Sequence, residues 1–224
     1  EWISLKENPE NPLQNRAIRG EYAPASTFKI IIATAALETH KIDEKETLLC
    51  TGKIRIGNRF FKCWKKEGHG RLNLEEGIVH SCDVFFYQLG LRVGVENIIK
   101  FARLFGLGEL TGIDLISEKK GVLPTRSWKK ANKGEAWYGG DTANLSIGQG
   151  YTLVTPIQML NVIDAVANEG KIFKPHLVKK IVNSKGKTIK EFFPKKMKKI
   201  ALSQTTIDLL RRSLRDVVKR GTGW

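Results

Sequence analysis

The sequence predicts a mixed domain in which helices pack with short antiparallel strands. Helical hydrophobic periodicity recurs in well-separated stretches, and apolar–polar alternation around a turn marks a hairpin late in the chain. Helix-rich segments and strands do not alternate regularly, which argues against a βαβ series. The composition agrees: 224 residues, 41% hydrophobic and 27% charged, suit one globular domain or a piece of something larger. They exclude collagen-like repeats and disorder. No apolar run approaches the roughly 20 residues that span a bilayer, and no signal-peptide pattern opens the chain.

Residues 1–25 are rich in Pro, Asn and Gly, and read as an extended lead-in loop. A helix is expected from about Ser26, where "STFKIIIATAALETH" is dense in apolar and alanine positions just after Pro24. Residues 47–72 read as a small irregular subregion with several glycines and two cysteines. Helical patterns return at 74–80, 84–93 and 95–105, the last ending at Gly106 and Gly108. Residues 112–154 read as loop and short strand, with a mobile polar stretch at Lys129–Lys133. A clear helix follows, with Thr155 as N-cap, Pro156 in the first helical position, Gln158 completing a capping box and Gly170 as the stop. A basic hairpin is expected over 174–193, turning at Asn183-Ser184-Lys185-Gly186. A final amphipathic helix over 204–219 carries Ile207, Leu210, Leu214 and Val217 at helical spacing and stops near Gly221.

The net charge of +15 is uneven. Residues 1–170 hold 22 basic and 20 acidic side chains, whereas 171–224 hold 16 and 3. Lys179, Lys180, Lys185, Lys187 and Lys190 fall on the hairpin's wet face. No helix-turn-helix, zinc-finger helix or aromatic RNA-binding signature accompanies them, so a nucleic-acid partner rests on charge alone and is not expected.

Ser26-Thr27-Phe28-Lys29 is the sharpest chemical feature. A serine at a helix start with lysine three residues on places both side chains on one face. Serine needs a base to take its proton, and a buried lysine serves once desolvation leaves its amine neutral. The helix N-terminus adds N–H groups where an oxyanion would form. By itself Ser-x-x-Lys also arises as a capping serine with a surface lysine.

Cys50, Cys63, His69 and Cys82 form a second constellation, C-x12-C-x5-H-x12-C. Three thiolates and one imidazole make a tetrahedral set for structural Zn²⁺, although this spacing matches no standard finger. A Cys50–Cys63 disulfide with Cys82 free, or three unrelated buried thiols, are the other readings. An odd cysteine count leaves a thiol over in any disulfide scheme and favours the metal. His40 reads as a C-terminal cap of the first helix, and His80 and His176 as structural.

The surroundings of the serine add a resemblance. "NRAIRGEYAPASTFK" closely resembles the nucleophile segment of penicillin-binding transpeptidases. Ser81-Cys82-Asp83, in "VHSCDVFFYQLG", is similar to that family's second motif, Ser-x-Asn, with the Asp that its elongation-specific class B (penicillin-binding protein 2) members carry. "GDTANLSIGQGYTLVTPIQML" resembles the stretch these proteins carry before a core helix. The resemblance runs through essentially the whole chain. It implies the α+β fold shared with serine β-lactamases, a helical subdomain with an antiparallel sheet. It further implies that Ser26 attacks the penultimate D-alanine of a peptidoglycan stem peptide, with Lys29 as base, Ser81 as proton relay and Asp83 orienting Lys29 or substrate. β-Lactams would leave Ser26 acylated. Relatives of the elongation type also place a metal near "CWKKEGHG", which would make 47–83 a small metal-binding subregion.

The third family motif, Lys-Ser/Thr-Gly, does not occur: Lys187-Thr188 is followed by Ile189. The resemblance places that strand shortly after the final "RGTGW", so the expectation is a domain cut before its closing strands; a chain ending there would lack half of the oxyanion hole and would not transpeptidate. A membrane helix and pedestal domain outside this chain, a SEDS glycosyltransferase partner, an elongation scaffold protein and an extracytoplasmic location are implied as well. No stretch resembles the glutamate loop with which a β-lactamase deacylates. A non-catalytic penicillin-binding sensor is the alternative reading.

Overall fold

The computed structural model describes residues 1–223. The lead-in is less extended than its composition suggests. Trp2–Lys6 (α1) and Arg16–Arg19 (α2) are short helices, and the Asn15 side chain caps the second by accepting from Ala17 N–H. One turn stabilised by a cap leaves no periodicity to detect. The helix expected from Ser26 opens as a 3₁₀ turn, Ala25–Phe28, and becomes α-helical only at Lys29–Glu38 (α3). Ala25 is held at φ +50°, its N–H donating to Gly148 O. His40 lies beyond the C-cap, Thr39, at φ +52°.

The irregular subregion resolves into four short strands: Leu48–Cys50 (β1), Lys53–Ile56 (β2), Arg59–Lys62 (β3) and Gly70–Leu72 (β4). Helices Leu74–Val79 (α4), Asp83–Val93 (α5) and Val95–Leu104 (α6) follow as expected. Residues 112–154 depart from expectation, because they contain Arg126–Lys133 (α7) and Gly139–Ser146 (α8). The segment expected to be mobile is therefore helix. Lys129 is 2% exposed and lies between Asp141 (2.8 Å) and Glu135 (3.2 Å), a tertiary tie that hydropathy does not register.

Next come Pro156–Ala167 (α9), Lys171–Phe173 (β5), Lys180–Val182 (β6), Thr188–Glu191 (β7), Lys196–Lys199 (β8) and Gln204–Arg220 (α10). In α9 the Gln158 side chain accepts from Thr155 N–H, the expected half of the capping box, and Gly170 at φ +80° ends the turn after the helix. The strands pair antiparallel as β1–β4, β2–β3, β5–β8 and β6–β7; among the described residues they join no larger sheet.

The centre is α3. Ile30, Ile31, Ile32, Ala33, Ala35 and Ala36 are all buried, so the helix is apolar on every side, as a helix enclosed by others must be. It packs between α5, α6, α4 and α10. Helices α5 and α8 approach closely at Gly90, where a Cβ would fall 1.7 Å from Ser146 Oγ. Helix α10 lies on α4 through Arg212–Glu75 (2.8 Å) and Arg220–Glu76 (2.9 Å). The backbone after α10 turns towards the second motif, with Thr222 N–H donating to Val79 O. No described helix is long and apolar enough to cross a membrane.

Candidate active site and candidate metal centre

The start of the central helix meets the turn between α4 and α5. Ser26 is exposed on the 3₁₀ turn, while Lys29, one turn on, is buried at 2%. Ser81 sits in the α4–α5 turn at φ +48°, a left-handed conformation that costs a serine about 1 kcal/mol or more. That conformation presents both its carbonyl and its hydroxyl to one ammonium. Lys29 Nζ donates to Ser81 O (2.9 Å), Ser81 Oγ (3.0 Å) and Asp83 Oδ1 (2.7 Å), which uses all three of its protons. Ser81 Oγ in turn donates to Ser26 Oγ at 3.0 Å.

The structure thus joins all four predicted residues in one chain, Ser26–Ser81–Lys29–Asp83. No direct hydrogen bond links Lys29 to Ser26 among the described residues; the Ser81 hydroxyl stands between them. A hydroxyl in that position passes a proton by accepting on one side and donating on the other. Here the donors run from Lys29 through Ser81 to Ser26, the direction that returns a proton; with one proton fewer on Lys29 the same two contacts reverse and can carry the Ser26 proton to the amine without direct contact.

Asp83 has a second partner that the sequence did not reveal. Its Oδ2 accepts from the backbone N–H of Trp64 at 3.2 Å, and the Trp64 indole donates to His80 O at 3.0 Å. The only hint was adjacency, since Trp64 follows Cys63. Gly148 was also missed: a Cβ there would stand 2.3 Å from Ala25 O and 2.8 Å from Ala25 N, so the backbone under Ser26 requires glycine at φ +66°.

Cys50, Cys63, His69 and Cys82 converge beside this network, their ligand atoms all within 4.8 Å of one another. Cys63 Sγ lies 3.9 Å from Cys82 Sγ, and His69 Nδ1 lies 3.5 Å from Cys63 Sγ and 3.7 Å from Cys50 Sγ. Tetrahedral zinc with Zn–S near 2.3 Å separates its ligands by about 3.8 Å, so the donor set and spacing fit such an ion. The thiols are buried and unbridged, and the buried His69 Nε2 has no partner among the described residues. The hydrogen bond between Cys82 and Cys63 pulls Cys63 down to about 4, and together with burial pushes Cys82 well up. Cys82 Sγ also caps α5 by accepting from Phe85 N–H, and the next residue is Asp83.

Of the remaining histidines, His80 stacks on His69 with ring centroids 6.0 Å apart, and His176 lies on the hairpin segment. His80 Nε2 lies 3.0 Å from Glu76, and exposed His176 donates from Nδ1 to Val178 O. A groove of about 680 Å³ along α6, lined by Val95, Ile99, Leu104 and Arg126, includes none of the four network residues. The hydrogen-bonded chain, rather than the concavity, marks the site.

A serine hydroxyl on a helix start, relayed through a second hydroxyl to a buried lysine, is the geometry of a serine acyl-transfer centre. The chain belongs to the penicillin-binding protein transpeptidase domain family, which it matches over residues 3–224. It is 40% identical over 180 residues to the peptidoglycan D,D-transpeptidase MrdA of Escherichia coli, covering 80% of this chain and 28% of that protein. The structure of penicillin-binding protein 2 from Pseudomonas aeruginosa in complex with WCK 5153 superposes with a TM-score of 0.86 at 32% identity, over 99% of this chain and 50% of that one. Penicillin-binding protein 2 of Helicobacter pylori, in its complex with MreC, gives 0.81 at 34% identity, over 97% and 38%. The present chain therefore spans well under two thirds of these relatives.

Proposed function

We propose that the protein is a peptidoglycan D,D-transpeptidase of the elongation type, acting through an acyl-enzyme on Ser26. The hydrogen-bonded chain from Ser26 through Ser81 to Lys29 carries this reading. Ser26 Oγ attacks the carbonyl carbon of the penultimate D-alanine of a stem peptide. Lys29 must first release one of the three protons it directs at Ser81 and Asp83. The Ser26 proton then moves to Ser81 Oγ, which passes its own to the Lys29 amine. The C–N bond then breaks, the proton returns through Ser81 to the departing D-alanine amine, and the acyl group stays on Ser26. An amine of a neighbouring stem takes the acyl group and restores the serine. Asp83 keeps Lys29 aimed at Ser81, itself held by Trp64 N–H. β-Lactams, which mimic the D-alanyl-D-alanine end, acylate Ser26 without this second step.

Cys50, Cys63, His69 and Cys82 would hold one structural Zn²⁺, which neutralises the thiolates and ties β1 and the Cys63–Trp64 segment to the α4–α5 turn. The residues it fixes are Ser81 and Asp83, so its part in catalysis is positional. We assign the protein to the extracytoplasmic face of the membrane, anchored by a segment outside this chain. A SEDS glycosyltransferase and an elongation scaffold are its expected partners, the latter in keeping with the MreC complex of the H. pylori relative.

D-alanine release from a lipid-linked pentapeptide substrate by the full-length protein tests the reading. Turnover with cross-linked product supports it, whereas acylation by penicillin with no release would make the protein a sensor. Metal analysis of protein purified without chelator should find one zinc per chain. Absence of zinc with a Cys50–Cys63 cross-link would overturn the metal assignment.

A further inference from the structure

Ser81 holds its relay position in a backbone conformation that a serine avoids. The turn after α4 is a left-handed helix cap. Ser81 N–H donates to Ile78 O and Cys82 N–H to Gly77 O, both at 3.0 Å, with Ser81 at φ +48°. Glycine is the usual residue at this position, and a serine stays there only where its surroundings over-determine the conformation. Relaxing it to negative φ requires the His80–Ser81 peptide to turn over. Both polar ends of that peptide are engaged. Its N–H is the one bound to Ile78 O, and its C=O accepts from the Trp64 indole at 3.0 Å. The first bond lies within the turn; the second comes from another element, the segment after β3.

One residue thus reaches both flanks of the relay. Trp64 holds the carbonyl before Ser81 through its indole, and the carboxylate after it, Asp83 Oδ2, through its backbone N–H at 3.2 Å. The backbone contact is open to any residue but proline, whereas the indole contact depends on the side chain. The Ser81 hydroxyl meets Lys29 Nζ and Ser26 Oγ at 3.0 Å each, so a displacement of about 1 Å breaks one contact or both. We propose that the Trp64 side chain is a positioning residue for acyl transfer: its indole N–H pins the His80–Ser81 peptide and so keeps the Ser81 hydroxyl in line between Ser26 and Lys29. This assignment rests on the acyl-transfer reading of Ser26.

The test uses the full-length protein with Trp64→Phe, which keeps a ring beside His69 but lacks the donor. A second variant carries benzothienylalanine at this position, the same bicyclic shape with sulfur in place of the N–H. Both should slow acylation at saturating penicillin roughly tenfold, as expected for one lost hydrogen bond. The half-saturating penicillin concentration and the zinc content should stay at wild-type values. In a Ser81→Ala background Trp64→Phe should slow labelling no further, because the hydroxyl it positions is gone. Hydrogen exchange reads the turn without the chemistry: the Ser81 and Cys82 amides should exchange roughly tenfold faster in both variants, with those of α3 unchanged. An unchanged acylation rate, a slowing that multiplies with that of Ser81→Ala, or unchanged exchange at Ser81 would overturn the proposal. So would loss of zinc along with the rate, which would trace the effect to the Trp64 ring's contact with His69, centroids 5.1 Å apart. A wild-type protein that takes no penicillin at Ser26 would instead overturn the reading beneath it, and the exchange measurement would still decide whether Trp64 holds the turn.

Discussion

Two lysine-bearing regions of this molecule differ in almost every physical respect. Lys29 lies on the central helix, is 2% exposed and spends its three protons on Ser81 and Asp83. The lysines of the hairpin are exposed and, among the described residues, meet no carboxylate. A buried ammonium persists only with full satisfaction, so its partners are fixed in place and it can aim a reaction. An exposed one stays mobile and screened, and contributes a field rather than a geometry. Net charge therefore says little about where the chemistry is.

That contrast can be broken by substitution. Ser26→Ala or Lys29→Ala should lower acylation by penicillin about a thousandfold or more, measured as the rate of covalent labelling. Chelation should come next. Removing the proposed zinc would leave three buried thiols and the His69 ring together, and should cost at least about 5 kcal/mol by denaturant unfolding. The stability lost on removing the metal should shrink as pH falls, because protons compete with the metal for the thiolates and weaken its binding. Ile31→Ala, at a fully buried position of the central helix, should cost about 2–5 kcal/mol. Gly148→Ala should cost about 2 kcal/mol by forcing Ala25 away, and slow labelling at Ser26 as well. At the other end of the scale, Lys185→Gln in the hairpin should change stability by less than about 0.5 kcal/mol. A hairpin substitution that destabilised the fold as much as Ile31→Ala would erase the distinction between the regions.

The parts that sequence reading reached are those in which residue identity determines structure. Ser26 and Lys29 stand at helical spacing, so their shared face followed from geometry. The α9 cap and the hairpin turn follow from Pro, Gln, Asn and Gly chemistry, and all appear where expected. Ligand types placed the thiols and His69 together as a candidate set, and the structure brings their donor atoms within reach of one ion. What stayed hidden depends on distant partners. Helix α7 is polar and short, and is held by Lys129 reaching Asp141 on the next helix. Strand β8, "KMKK", reads as a charge run and becomes a strand by pairing with β5 across the hairpin. Trp64 acts on Asp83 through a backbone N–H, which no side-chain pattern encodes.

The central claim is that Ser26 is the nucleophile and that Ser81 links it to Lys29. Peptide mapping by mass spectrometry after penicillin treatment, for the full-length wild type and its Ser81→Ala variant, tests it most directly. The account predicts a penicilloyl adduct on the peptide bearing Ser26, formed about a hundredfold more slowly once the Ser81 hydroxyl is gone. An adduct on another residue, or labelling at Ser26 with an unchanged rate in Ser81→Ala, would contradict it.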